Sequence, residues 1–213
     1  RRRRRGAAPQ PHRAVKPLAL DISSATGSIA VADGGAVAQV RRFSCPRGRG
    51  GEVFAMLEEL RPEWEGLDTI AVGVGPGSYN GLRAACALAG AFQDALGIRV
   101  VAAPSPCLLG VDEDHYFVAG DARGGTVYLA GVRARRLAGD IRMVAREEFL
   151  AMVAAGFAAP VYRVGEIAGA DELPEAHPDA AVLARLAPAL DPAEPDGPEP
   201  IYLKPPHITT PRA

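Results

Sequence analysis

Residues 69–97 place an apolar segment, 69–74, ahead of the bend Gly75-Pro76-Gly77-Ser78-Tyr79-Asn80-Gly81, and the bend ahead of a long small-residue run closed by Gly97. An apolar run of that length bounded by glycine and proline predicts a strand buried on both faces, and the run behind it predicts a helix over 80–96. The free N–H groups at the start of such a helix, together with the positive end of its dipole, favour an anion in the bend. Gly75, Gly77, Ser78 and Arg83 are therefore candidate nucleotide or anion contacts. No lysine follows the last glycine as a P-loop requires, which points to something other than a standard nucleotide hydrolase.

The helix behind the bend is apolar around nearly its whole circumference, with only Arg83, Gln93 and Asp94 polar between Leu82 and Leu96. A helix of that kind is buried on more than one side. One side covers the sheet; the other is expected to meet a second domain or another protein. Leu82, Cys86, Ala87 and Gly90 are candidate interface residues, because small side chains let a second helix come close. Phe54 lies off the core stripe of the preceding helix, 52–60, and joins the same surface. Asn80 is the expected N-cap, accepting from the N–H of Arg83.

The elements around this unit define a fold class. Residues 18–22, 28–32 and 37–43 are short apolar runs, the last two joined by Asp33-Gly34-Gly35, a hairpin turn. A helix over 52–60, the strand 69–74, the helix 80–96 and a strand over 99–103 follow. The order β-β-β-α-β-α-β characterises a ribonuclease-H-like or actin-like half-domain. After Pro104 the pattern restarts with runs at 116–120 and 126–132 flanking Asp121-Ala122-Arg123-Gly124-Gly125, then a strand at 141–145, a helix at 147–155 and a strand at 161–164. A weak helix over 178–190, a proline-rich acidic loop over 191–200 and an apolar clip at 201–203 complete a worn copy of the first half. The expected organisation is a disordered basic extension (1–16), an N-terminal half (17–104), a smaller degenerate C-terminal half (105–204) and a tail (205–213).

Charge divides the chain unevenly. Seven of its 24 basic residues fall in the first 16 positions, leaving 17 against 25 acidic residues, so the body carries −8. A body of that sign is poorly suited to gripping a phosphate backbone unaided. No apolar segment follows the arginine-rich head, which excludes a secretory signal, and no run is long enough to span a membrane. Three cysteines without a CxxC spacing fit a reducing, cytoplasmic compartment.

Individual residues narrow the chemistry further. Asp21 closes the first strand, where a carboxylate serves either to orient a metal or phosphate or to form a turn by accepting N–H bonds from Ser23 or Ser24. A two-metal nuclease needs another carboxylate at the end of strand 69–74, and that end is Gly75-Pro76-Gly77. The four histidines have no metal-ligand spacing. Ser78 lacks the setting of a nucleophile elbow and reads as a hydroxyl that helps the bend. No catalytic residue and no metal ligand is assigned.

These residues carry a family resemblance. Leu18-Ala19-Leu20-Asp21-Ile22-Ser23-Ser24 with 28–31, the block 75–83, Gly97 to Val101 with Ser105, Asp121-Ala122-Arg123 with Val127-Tyr128, and Tyr202-Leu203-Lys204 resemble the TsaB (YeaZ) family. Tyr79 and Asn80 stand where that family has Phe and Thr, and its histidine before the first helix is missing from the segment 45–51. The resemblance implies an actin-like ATPase (ASKHA) fold of two ribonuclease-H-like halves with mixed sheets flanked by helices. It implies a non-catalytic scaffold for tRNA threonylcarbamoyladenosine synthesis, paired through two helices with the catalytic paralogue TsaD. It further implies an ATPase partner, TsaE, indirect contact with tRNA, a homodimer when alone, no cofactor of its own, and ATP or ADP only at the boundary shared with the partner. Two rival readings are a glycoprotease-like peptidase and a relic of an actin-like small-molecule kinase.

Overall fold

The computed structural model describes residues 15–45, 51–194 and 196–204. The arginine-rich head up to residue 14 and the tail 205–213 lie outside the described residues, as does most of the loop that lacks the family's histidine. Lys16 is described, and it is tied down: its N–H donates to Asp68 (3.1 Å) and its ammonium to the Glu65 carbonyl (2.8 Å).

The first sheet is built from β1 (Pro17–Asp21), β2 (Thr26–Asp33), β3 (Ala36–Ser44), β4 (Thr69–Gly73) and β5 (Arg99–Ala103), in the order β3-β2-β1-β4-β5. The β2–β3 hairpin turns at Gly34 and Gly35, whose φ values of 57° and 86° are the left-handed pair that a two-residue turn demands. β4 and β5 run parallel to β1 and are reached through α1 (Gly51–Glu59) and α2 (Tyr79–Leu96). Gly97 ends α2 at φ 65°, and its N–H donates to the Gln93 carbonyl.

The two faces of this sheet differ in size. Leu18, Leu20, Ile29, Val31, Ile70 and Val72 point to one face, where Val53 and Leu57 of α1 and Ala85, Ala89 and Phe92 of α2 cover them. The alternate residues are Ala19, Ala30, Ala32 and Ala71, a nearly flat surface. On it lies α4 (Ala180–Leu186), itself alanine-rich, with Ala180, Ala181, Leu183 and Ala184 buried. Small residues on both sides let helix and sheet approach closely. The sequence grouped α4 with the second half; its packing belongs to the first.

The second sheet contains β6 (His115–Asp121), β7 (Thr126–Arg133), β8 (Arg136–Leu137), β9 (Arg142–Ala145) and β10 (Val161–Val164). β6 and β7 pair antiparallel, β10 runs parallel to β6, and β9 pairs antiparallel with the other edge of β7. The run β10-β6-β7-β9 therefore repeats β4-β1-β2-β3, with no counterpart of β5 and with the short β8 added beside β7. α3 (Arg146–Ala155) covers one face through Phe149. Even the turn after the first strand recurs: Asp21 accepts from the Ser23 N–H at 2.9 Å, and Asp121 from the Arg123 N–H at 3.0 Å. This is the duplicated ribonuclease-H-like architecture of the actin-like ATPase fold. Among the described residues, no helix is long and apolar enough to cross a membrane.

The β7–β8 turn sets two non-glycine residues in the left-handed region, Ala134 at φ 48° and Arg135 at φ 60°. The conformation aims the Arg135 guanidinium at the carbonyls of Leu109 and Val111 in the segment joining the lobes. Ala134 has no such compensation. Ala134→Gly is expected to stabilise the chain by about 1 kcal/mol, read as a raised midpoint in chemical denaturation.

Candidate functional site

Asp21, Gly75, Gly77 and Ser78 come together where β1, the glycine-rich bend and the start of α2 meet the segment between the lobes, and Arg83 lies outside the cluster, against Tyr79. Asp21 is wholly buried. One of its carboxylate oxygens accepts from the N–H and hydroxyl of Ser23 (2.9 and 2.6 Å), the other from the hydroxyl of Ser105 (2.6 Å). Ser105 also accepts from the Gly75 N–H at 2.9 Å and returns its own N–H to the Gly75 carbonyl at 2.9 Å. Burial pushes the Asp21 carboxyl above its usual range, against the lowering effect of these hydrogen bonds. Across the lobe boundary Tyr128 is buried too, and its phenol is likewise pushed up by desolvation, with the Asp21 charge adding to the effect.

The glycines of the bend are needed for chain packing. A Cβ at Gly73 would overlap the Asp21 carboxylate, one at Gly77 the Ser23 carbonyl, and one at Gly81 the Ile22 carbonyl. Gly75 has φ 88°, and a Cβ there would overlap the Leu82 side chain. The β1–β2 turn therefore packs directly on the bend, and both Asp21 oxygens accept hydrogen bonds from within the chain. These internal contacts account for the glycines of the bend without a ligand. Of the two roles weighed for Asp21, the geometry contains the turn.

The start of α2 also differs from expectation. Ser78, not Asn80, is the N-cap: its hydroxyl accepts from the Gly81 N–H at 3.3 Å, and its N–H donates to the Ser23 carbonyl at 2.7 Å. Arg83 is exposed, with its guanidinium 5.4 Å from the centroid of the Tyr79 ring. Tyr79 pairs with Tyr202, ring centroids 5.0 Å apart.

The apolar circumference of α2 resolves into two halves. Leu82, Ala85, Ala89 and Phe92 form the buried stripe. Leu82 is fully buried and belongs to the core, so it leaves the proposed partner surface. Cys86 and Gly90 are half-buried and Ala87 and Ala91 exposed along the outer side. A Cβ at Gly90 would meet nothing within 4 Å among the described residues, so none of them requires glycine there. Phe54 on α1 is 62% exposed, and Leu96 at the end of α2 is 50% exposed.

Sequence reasoning gave Ser105 no role beyond the family resemblance, yet Ser105 joins the bend to Asp21. Its partners lie 84 and 30 residues away, so spacing carried no signal. Lys204 was likewise matched without a role. Its ammonium donates to the Arg123 carbonyl and the Thr126 hydroxyl, both at 2.8 Å, while the Ile201 N–H donates to the Val74 carbonyl at 2.8 Å. The segment 201–204 thus straps one lobe to the other across the bend.

No curated protein sequence matches the chain significantly. Two solved structures have the same fold. A Pseudomonas aeruginosa protein described as similar to the peptidase YeaZ is 23% identical, superposes with a TM-score of 0.70, and aligns over 89% of this chain and all of its own. YeaZ from Pseudomonas aeruginosa is 25% identical, with a TM-score of 0.68 and the same coverage. Residues 51–162 match the family model described as TsaD, tRNA N6-adenosine threonylcarbamoyltransferase. That match runs from α1 to the start of β10, more than half of the 213 residues, and the likeness to YeaZ covers 89% of the chain, so the chain belongs to the TsaD family and is a TsaB-like member of it.

Proposed function

We propose that this chain is a supporting, non-catalytic subunit in the threonylcarbamoylation of adenosine in tRNA, and that it docks on a catalytic paralogue of its own family. The observation that carries the reading is the outer side of α2. Ala87, Gly90 and Ala91 put small apolar residues on the outer side of α2, and Phe54 on α1 is exposed as well. Glycine inside a helix costs about 1 kcal/mol relative to alanine, and no neighbour among the described residues justifies that cost at Gly90. A second helix lying across α2 supplies the missing reason, since its backbone comes closest where side chains are smallest.

The paralogue carries the transfer chemistry, a TsaE-like ATPase joins the pair, and tRNA is met through the assembly in the cytoplasm. In isolation the same side of α2 pairs two copies of this chain. No nucleotide is assigned to Asp21, Gly75 or Gly77. Arg83 and Ser78, exposed at the start of α2, are the residues that an ATP or ADP at the partner boundary would meet.

Co-purification with the catalytic paralogue tests the assignment. Gly90→Arg and Ala87→Arg are expected to abolish the association and tRNA modification while leaving the unfolding midpoint unchanged. Gly90→Ala is expected to stabilise the isolated chain by about 0.5–1 kcal/mol and to weaken pairing. Association that survives both arginine variants refutes the docking face.

A further inference from the structure

We infer that the edge of the cleft between the lobes carries a reactive centre separate from the docking role, an acyl-ester hydrolase site formed by Ser24, His177 and Glu175. The Ser24 hydroxyl lies 3.4 Å from His177 Nδ1, and His177 Nε2 lies 3.2 Å from one oxygen of Glu175. The other Glu175 oxygen is fixed by Arg163 at 2.8 Å. A hydroxyl, an imidazole and a carboxylate held in series are the parts of a serine nucleophile with its base and orienting acid. The docking face on α2 is not involved, so this site stands or falls independently of the proposed function.

The three residues are gathered from distant parts of the chain onto opposing walls. Ser24 sits in the β1–β2 turn of the first lobe. His177 and Glu175 sit on a segment hydrogen-bonded to β10 of the second, where the Arg163 N–H donates to the Pro174 carbonyl and the Ala176 N–H to the Arg163 carbonyl (2.9 and 3.0 Å). Beside them opens a cleft of about 340 Å³. Val111, Tyr162, Ala176 and Pro178 make its apolar walls, and Thr26 and Arg42 supply polar groups. That volume suits an ester with a short acyl chain.

The Ser24 hydroxyl also has the Thr26 carbonyl at 2.8 Å as an acceptor. It accepts from the Thr26 N–H at 3.2 Å as well, so in the reaction the hydroxyl turns its hydrogen from the Thr26 carbonyl to His177 Nδ1, 3.4 Å away across the lobe boundary. In the acylation step Ser24 Oγ bonds to the ester carbonyl carbon and its proton passes to Nδ1. The carbon–alkoxy bond breaks, and the alcohol leaves with that proton. Water then adds to the acyl-serine with His177 again as base, releasing the carboxylic acid and restoring Ser24. Glu175 is a positioning residue: it accepts from Nε2–H and so keeps the Nδ1 lone pair facing Ser24.

The test uses the full chain and a fluorophosphonate, which phosphonylates an activated serine. One adduct is expected, mapped by peptide mass spectrometry to Ser24, and none in Ser24→Ala. His177→Gln, on a segment outside the sheets, is expected to slow labelling by roughly 100-fold with an unchanged unfolding midpoint. Glu175→Ala is expected to slow it by at least about tenfold, and Glu175→Gln, which retains an acceptor for Nε2–H, to restore part of the rate. Ala87→Arg is expected to label at the parental rate. An unlabelled protein, an adduct on another residue, or a parental rate in His177→Gln overturns the site.

Discussion

Asp21→Ala is expected to cost about 3–5 kcal/mol, because it strips the acceptor from three donors buried beside one another. The Ser23 N–H, the Ser23 hydroxyl and the Ser105 hydroxyl would all lose their partner, and Ser105 would lose the anchor that holds it against Gly75. Asp21→Asn behaves differently. Its oxygen can accept from Ser23 and its amide can donate to Ser105, without burying a charge. The raised carboxyl of Asp21 sets the sign of the pH dependence. A group protonated more readily folded than unfolded contributes stability that is complete below the unfolded value, 3.8, and is lost as pH rises through the folded one. Stability should therefore decline with pH above about 4 from this source, and Asp21→Asn should flatten that decline. Urea titrations of both proteins at a series of pH values measure it. An equal pH dependence in the two would show that Asp21 is not the titrating group.

Gly73→Ala is expected to be of similar severity, about 3 kcal/mol or more, from a single added methyl. Gly73 ends β4 in the middle of the sheet, bonded on one side to β5 and packed on the other against Asp21. The added carbon would overlap the carboxylate itself, and the carboxylate cannot turn away without abandoning Ser23 and Ser105. Relief comes only if the second group shrinks. The double variant Gly73→Ala with Asp21→Ser should recover part of what Gly73→Ala loses, since neighbouring sites are coupled. Strict additivity of the two losses in denaturation would mean that the methyl harms the strand for some other reason.

Much of this molecule can be read from its sequence because its elements declare themselves locally. The strand at 69–73, the cap at Gly97 and the hairpin at 33–36 each combine a period with a turn residue, and all appear where the pattern puts them. What escaped was set by distant residues. A glycine that admits a ligand and a glycine that admits another stretch of backbone look identical in sequence, and only the Ser23 and Ile22 carbonyls resting on Gly77 and Gly81 tell them apart. Ser78 and Asn80 are both good caps, and the choice falls to Ser78 because its N–H is drawn to Ser23. Leu82 repeats at the spacing of Ala85, Ala89 and Phe92, so its burial was available from periodicity; the uniformly apolar composition of α2 hid it. His177 lies 153 residues from Ser24, beyond any spacing rule.

The placement of α4 governs the order in which this chain can finish folding. Domains synthesised on the ribosome ordinarily close in the order of their residues. Here Ala19, Ala30 and Ala71 stay uncovered until residues 180–187 arrive, after every strand of the second sheet has been made. The lobe begun first is thus completed last, and a nascent chain halted anywhere between β5 and α4 presents a bare alanine surface to its surroundings.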